Sequence, residues 1–285
     1  MGASSFGSGF GAVDLSADPD ALVEYLARVR AVPTVLTAKS ESFALLDASA
    51  GDRLLDLGCG QGEDVRALAA TVGPTGLVVG VDKSMVLIEH ARRCTPPDQR
   101  WIEFVCADAN ALPFPDASFD GCRADRAIQH VPDADVALAE LARVTKPGGS
   151  VVVSEMFNAL DLPREEPDLI AREVLGRLWS DEERRGWIGF LLPPLLGRAG
   201  LGEMELHRRR ERLTAFADAD LLLRLVDSCA AAVAAGTVEQ ADARGWLERL
   251  ERDFATGRVA LESELFHFKA RKPGTSGATI ASSNA

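Results

Sequence analysis

At 285 residues, with 47% apolar and 26% charged side chains, the chain has the composition of an ordinary globular protein, long enough to bury a substantial core in one large or two small domains. Its formal net charge of -12 argues against a surface built for nucleic acid, which needs basic residues to displace counterions from phosphates. That balance suits a small-molecule site better.

Residues 1–19 are rich in Gly, Ser, Ala and Asp and carry no periodic apolar pattern. Asp18-Pro19-Asp20 reads as a helix start, followed by Leu22, Val23, Leu26 and Val29 at helical spacing, and a second helix over about 34–48 follows Pro33. The apolar run Leu54–Leu57 then meets Gly58, Gly60 and Gly62, and a helix begins. A strand, a glycine turn and a helix in that order are how α/β proteins meet a nucleotide-like ligand. Glycines suit the turn because it is sharp and because a Cβ would hold the ligand away from the main-chain N–H groups. The dinucleotide pattern G-x-G-x-x-G fails by one residue, since its third glycine would fall at Glu63.

A helix over Asp64–Thr71 is broken by Gly73-Pro74-Thr75-Gly76 before a second strand, Leu77–Val81, which ends at Asp82. A carboxylate there, about 20 residues beyond the glycines, is placed to accept from both hydroxyls of a ribose; a helix-capping role beside Ser84 is the alternative. A helix over Ser84–Cys94 leads to a third strand, Trp101–Ala107, and again an acid follows, Asp108, with Ala109 behind it.

The pattern D-x-G-x-G-x-G from Asp56 to Gly62, closed by Glu63-Asp64, resembles the first motif of class I S-adenosylmethionine (SAM) dependent methyltransferases. The run Asp108-Ala109-Asn110-Ala111-Leu112-Pro113-Phe114 matches that family's pattern too. The resemblance implies SAM as cofactor and S-adenosylhomocysteine as product. It implies contacts from Asp56, Gly58, Cys59, Gly60, Gln61, Gly62, Asp82, Lys83, Met85, Asp108 and Ala109, with Met85 against the adenine and Arg126 facing the SAM carboxylate or a surface acid. In proteins of this kind N-terminal helices lie over the pocket, so Tyr25 and Lys39 are placed to approach the ligand; for Tyr25 a packed aromatic with its hydroxyl at the surface is the alternative.

The fourth strand, Gly121–Ala124, leads into Asp125-Arg126-Ala127-Ile128-Gln129-His130-Val131-Pro132-Asp133, which most resembles the ubiquinone/menaquinone-biosynthesis type of methyltransferase. His130 is a candidate base on the substrate or a helix-start residue bonded to backbone. A helix over Asp133–Val144 ends at the turn Lys146-Pro147-Gly148-Gly149, and a fifth strand, Ser150–Ser154, is apolar enough to be buried on both faces. Glu155 at its end is a candidate catalytic contact or an ordinary loop acid. The resemblance makes residues 158–198 an insertion over the acceptor, with Trp179, Trp187 and Phe190 as its apolar wall or as anchors of the insertion to the body, and Phe157, at the end of the fifth strand, as a further candidate substrate contact.

A sixth strand over about 203–214 carries Arg208-Arg209-Arg210-Glu211-Arg212, read as a solvated edge rather than a nucleic-acid surface. Helices over roughly 218–235 and 238–254 precede a last strand, about 258–271. The five cysteines, Cys59, Cys94, Cys106, Cys122 and Cys229, form no C-x-x-C pair, which gives no sign of a metal site or a disulfide framework. With neither a secretory leader nor the roughly 18 apolar residues of a membrane span, the sequence reads as a cytoplasmic protein with no membrane or nucleic-acid partner.

The fold expected is α/β, a doubly wound, seven-stranded, mostly parallel sheet spanning residues 44–272, with cap helices within 1–43 and a tail over 273–285 that has no reason to fold. The activity expected is methyl transfer to an O, N or C nucleophile of a small, largely apolar metabolite of secondary metabolism, by a monomer or homodimer. A SAM-binding cyclase or isomerase that transfers no methyl is the alternative.

Overall fold

In the computed structural model, which describes residues 19–162, 169–178 and 188–274, two helices come first, α1 (Pro19–Ala31) and α2 (Pro33–Leu45). They are followed by β1 (Arg53–Leu57), α3 (Glu63–Val72), β2 (Leu77–Asp82), α4 (Met85–Arg93), β3 (Ile102–Cys106), β4 (Phe119–Asp125) and α5 (Ala134–Val144). Then β5 (Thr145–Asp161) leads through α6 (Leu169–Leu178) and α7 (Ile188–Arg198) to β6 (Gly202–Leu213). Three helices, α8 (Phe216–Leu223), α9 (Leu225–Ala234) and α10 (Gln240–Ala255), precede β7 (Ala260–Arg271).

The strands form the expected seven-stranded sheet, ordered β3-β2-β1-β4-β5-β7-β6, in which only the pairings of β7 with β5 and β6 are antiparallel. Its central strands are buried on both faces because helices cover both. Leu54 and Val78 pack with Val65 and Leu68 of α3 and Ile88 of α4, while Leu55 and Val79 pack with Leu138 and Leu141 of α5 and Leu192 of α7. Ser84 and Asp133 start α4 and α5 as N-caps, their side chains accepting from Leu87 N (3.2 Å) and Val136 N (3.2 Å). Among the described residues no helix is long and apolar enough to cross a membrane.

Two expectations are corrected. The fifth strand does not stop at Ser154: it stays paired with β7 from Ser150↔Arg271 up to Asp161↔Ala260, so Glu155, Phe157 and Asn158 are strand residues and not part of a loop insertion. Its parallel partner β4 ends at Asp125, opposite Ser154. The remaining seven residues rise beyond the sheet as an arm, roughly 23 Å at strand spacing, and β6 stays paired with β7 as far as Leu213↔Leu261. The helix expected over 218–235 is two helices, broken at Arg224, whose φ of 53° lies in the left-handed region. Asp220 accounts for the break: its carbonyl accepts from Arg224 N and its carboxylate from Val226 N (2.9 Å), closing one helix and starting the next.

The helices between β6 and β7 join α6 in a second core, where Val174, Cys229, Trp246, Leu250 and Phe254 pack on Met156, Leu261 and Leu265 of the arm. This helical cap stands over the carboxyl ends of the parallel strands, where open α/β sheets receive ligands.

Gly62, the N-cap of α3, has φ 75°, and a Cβ on it would lie 2.5 Å from the Phe104 ring and 2.9 Å from Ala91 Cβ. Gly257 has a similar φ of 73° with nothing within 4 Å of an added Cβ. Gly62→Ala is therefore expected to cost about 1–3 kcal/mol more than Gly257→Ala, since only the first adds overpacking to the backbone strain. Thermal melts check this; equal losses for the two variants would show that the turn is not packed against β3 as described.

Candidate active site

The turn after β1 is held from two sides. Gly58 N and Cys59 N both donate to Val81 O, at 2.7 and 3.0 Å, which folds the chain back against β2. Asp82 then accepts from Gly60 N through Oδ2 (2.9 Å) and from Ser84 N through Oδ1 (2.9 Å). Gly58, Gly60 and Gly62 all have positive φ, but for different reasons of space. A Cβ on Gly58 would collide with Ala127 Cβ, whereas one on Gly60 would meet nothing within 4 Å. Gly60 lines a cavity of about 620 Å³, within the range of small-molecule sites, roughly 300–1,000 Å³.

One end of that cavity is walled by Gly58, Cys59, Gly60, Gln61, Asp82, Lys83, Leu87, Asp108 and Ala109, and the other by Arg126, Gln129, His130, Val131, Pro132, Met156 and Asn158. Tyr25, Leu26 and Val29 of α1 and Leu222 of α8 line it too, as do the charged side chains of Arg30, Lys39, Glu63, Asp64, Arg123 and Asp125. Of the residues singled out in the sequence, those named in these three groups meet in one space, Tyr25, Arg126 and His130 included. The first end offers what an adenosyl group requires: an open main-chain turn and two carboxylates at neighbouring strand ends, beside the apolar Leu87. The residues present fit SAM.

Other expected contacts lie elsewhere. Asp56 lies under the turn, 2% exposed, with its Oδ1 2.7 Å from Arg123 Nη1. Gly62 faces Phe104, and Met85 is 43% exposed, so Leu87, one half-turn on in α4, takes the lining position expected of Met85. Of the apolar residues expected at the acceptor, Phe157 and Phe190 do not line the cavity, and Phe190 instead anchors its helix to the sheet. Side chains alternate along a strand, so Met156 and Asn158 face the cap while Glu155 and Phe157 face α7. There Phe190 packs edge-on against Phe157 (6.4 Å between ring centroids) and Phe266 (5.2 Å). Trp179 and Trp187 lie outside the described residues.

Beneath the cavity is a cluster of buried charge that the sequence reading missed. Arg123, fully buried in β4, contacts Asp56 (2.7 Å), Asp64 (3.1 Å) and Asp125 (3.1 Å), donates through Nε to Ser42 Oγ (2.9 Å) and lies 4.8 Å from the centroid of the Phe43 ring. Lys39 bridges Asp64 and Asp125, the latter at 2.7 Å, and Arg30 also contacts Asp64. Burial pushes the Asp56 carboxyl up to about 6 against the pull of Arg123. Burial also acts to raise Asp64 and Asp125, but Arg123 and Lys39 outweigh it and hold both below the usual carboxylate range. The available signal was Arg123 itself, an arginine inside a strand otherwise buried among apolar neighbours, which demands partners.

Of the two candidate bases, only His130 lines the cavity, with Gln129 Nε2 3.2 Å from its Nε2. Glu155 faces away, Gly189 of α7 standing so close that an added Cβ there would lie 3.7 Å from Glu155 Cβ. Burial, and next the negative charge of Asp125, push the Glu155 carboxyl up to about 8. Burial likewise raises the Tyr25 phenol, whose hydroxyl donates to Leu221 O at 3.3 Å.

Comparison with known proteins bears on the family and the fold. Residues 55–153 match the family model described as a methyltransferase domain. Over 242 residues, 84% of this chain and 69% of the other, the protein is 36% identical to an uncharacterized 37.1 kDa protein in transposon TN4556 of Streptomyces fradiae. It is 43% identical to the demethylmenaquinone methyltransferase of Staphylococcus aureus (strain JH9) over 105 residues, 37% of this chain and only 43% of that protein's length. Among solved structures, a putative methyltransferase from Bacillus halodurans superposes with a TM-score of 0.55 at 19% identity, covering 82% of this chain and 98% of the other. The YcgJ protein of Bacillus subtilis gives 0.54 at 17% identity, covering 84% and 99%. At such identities the two structures speak for the fold alone.

The raised Glu155 carboxyl has a stability consequence. Its folded value of about 8 lies above the ordinary 4.5, so the folded state holds the proton more tightly and stability falls as pH rises from about 4.5 to about 8. Glu155→Gln removes that loss, and urea midpoints are expected to show the variant gaining on the parent by up to a few kcal/mol between pH 5 and pH 9. A constant gap between the two curves would contradict the assignment.

Proposed function

Because this chain belongs to the class I S-adenosylmethionine-dependent methyltransferase family, we propose that it transfers a methyl group from SAM to an O, N or C nucleophile of a small, largely apolar metabolite. The observation that carries the reading is the continuity of the cavity. The open side of the Gly60 turn and the Asp82 carboxylate line the same cavity as Tyr25, His130, Met156 and Asn158.

The main chain of Gly58–Gln61 would hold the cofactor's body, Asp82 its ribose hydroxyls, and Asp108, Ala109 and Leu87 its adenine. When bound, SAM supplies a methyl carbon on a sulfonium, open to in-line displacement. The remaining work belongs to the chain, and it is mostly placement. Holding two reactants in line contributes on the order of 7–11 kcal/mol when alignment is good, provided water is kept out. α1 and α8 close the space from above, with Tyr25 tied to α8 through Leu221 O and with Arg224 5.6 Å from the centroid of its ring. Where the acceptor must lose a proton, His130 is the group in position to take it. Glu155 is not, since it lies off the cavity and keeps its own proton up to about pH 8.

Calorimetry with SAM tests the site. The intact protein is expected to bind, and Asp82→Ala to weaken binding at least tenfold, because the variant loses both the ribose acceptor and the carboxylate that fixes Gly60. Incubation with labelled SAM and fractionated metabolite extracts is expected to release S-adenosylhomocysteine together with a labelled product. Product formation without S-adenosylhomocysteine would refute methyl transfer, and unchanged affinity in Asp82→Ala would refute the site.

A further inference from the structure

The acceptor end of the cavity carries one arrangement that methyl transfer in general does not explain. On the cap face of the arm, Met156 stands opposite Leu265 and Leu160 opposite Leu261, and between these two apolar rungs stands a polar one, Asn158 opposite Ser263. Ser263 is 0% exposed, and its hydroxyl donates to Asn158 Oδ1 at 2.7 Å. That bond occupies one of the two acceptor positions of the amide oxygen and turns the –NH2, which has two donors and, among the described residues, no protein acceptor, toward the cavity that Asn158 lines. A buried hydroxyl whose one bond fixes the orientation of a neighbouring amide is costly among apolar side chains unless that orientation is used.

Charge around this rung points the same way. Of the carboxylates lining the cavity, Asp64 and Asp125 are bound by Arg30, Lys39 and Arg123, and Glu63 by Arg30, while Asp82 and Asp108 belong to the adenosyl end. At the acceptor end stands the cation Arg126, whose Nε lies 3.9 Å from the Asp125 carboxylate that Lys39 and Arg123 also bind. The φ of 51° at Arg126 places this non-glycine residue in a strained conformation of the sort that persists where the surroundings impose it.

We infer that Asn158, oriented by Ser263, is the specificity-determining residue of the acceptor subsite, and that it selects an apolar molecule bearing an oxygen acceptor, a phenol or enol, over one bearing an ammonium. The oxygen accepts from the Asn158 amide with Arg126 nearby, while an ammonium would face donors and a positive charge beside a carboxylate, Asp125, already bound by Lys39 and Arg123. This rests on the methyltransferase reading of the cavity and adds the chemical class of its acceptor.

The test uses the full chain loaded with S-adenosylhomocysteine and two probes of one shape, 1-naphthol and 1-naphthylmethylamine. Calorimetry is expected to show naphthol binding at least tenfold more tightly than the amine. Asn158→Leu is expected to weaken naphthol about tenfold, with S-adenosylhomocysteine affinity and the amine unchanged, and Ser263→Ala to weaken naphthol by a smaller factor. If Asn158→Leu does not fold, Ser263→Ala decides. Equal or better binding of the amine, unchanged naphthol affinity in the variants, or no binding of either probe overturns the inference. Failure of the unmutated chain to take up S-adenosylhomocysteine at all would instead overturn the methyltransferase reading beneath it.

Discussion

A single guanidinium, buried where β1, β4, α2 and α3 meet, sets the position of everything above it. Arg123 reaches Asp56 on β1, Asp64 on α3, Asp125 at the end of its own strand and Ser42 on α2. Lys39 and Arg30 complete the set, so three cations face three carboxylates. Taking such charges out of water costs several kcal/mol per ion, and an apolar core of equal volume would be at least as stable. What the cluster secures is geometry. It fixes the residue before the glycine turn, the helix after it and the end of the neighbouring strand relative to one another, and it forms the floor of the ligand cavity.

The roof depends on the same cluster. Arg30 and Lys39 lie on the two N-terminal helices, and Gln61 in the turn donates through Nε2 to Val23 O of α1 at 2.5 Å. Turn, floor and first cap helix are therefore one mechanical unit, in which a shift of α1 is felt at Gly60. The second cap has another origin. It is carried on the arm of β5 and β7 and closes through Leu222 and Tyr25, so cofactor and acceptor meet between a part of the fold set by charge and a part set by apolar packing.

Much of the sheet could be read from the chain because its signals are local. Apolar runs bounded by glycines, the turn from Gly58 to Gly62, and Asp82 and Asp108 at strand ends each declare themselves within a few residues. The features that escaped are set by distant partners. Arg123 reads as an isolated charge until residues 59, 67 and 81 positions away fold against it. The extension of β5 depends on pairing with β7, more than a hundred positions later, and the break at Arg224 on the side chain of Asp220. Strand parity misled the choice of acceptor wall. Phe157 was the conspicuous aromatic, yet the cavity receives its neighbours Met156 and Asn158, a distinction that appears only once the faces of β5 are assigned. Glu155 fell to the wrong side for the same reason.

The central claim is that the glycine turn, braced by Asp82 above a floor of paired charge, holds an adenosyl cofactor. A crystal structure of the protein with S-adenosylhomocysteine tests it most directly. The account predicts ribose hydroxyls within hydrogen-bond distance of Asp82, adenine between Leu87 and Asp108, and the contacts of Arg123 with Asp56, Asp64 and Asp125 intact. Ligand density elsewhere, or an Arg123 turned away from those carboxylates to meet the ligand, would contradict it.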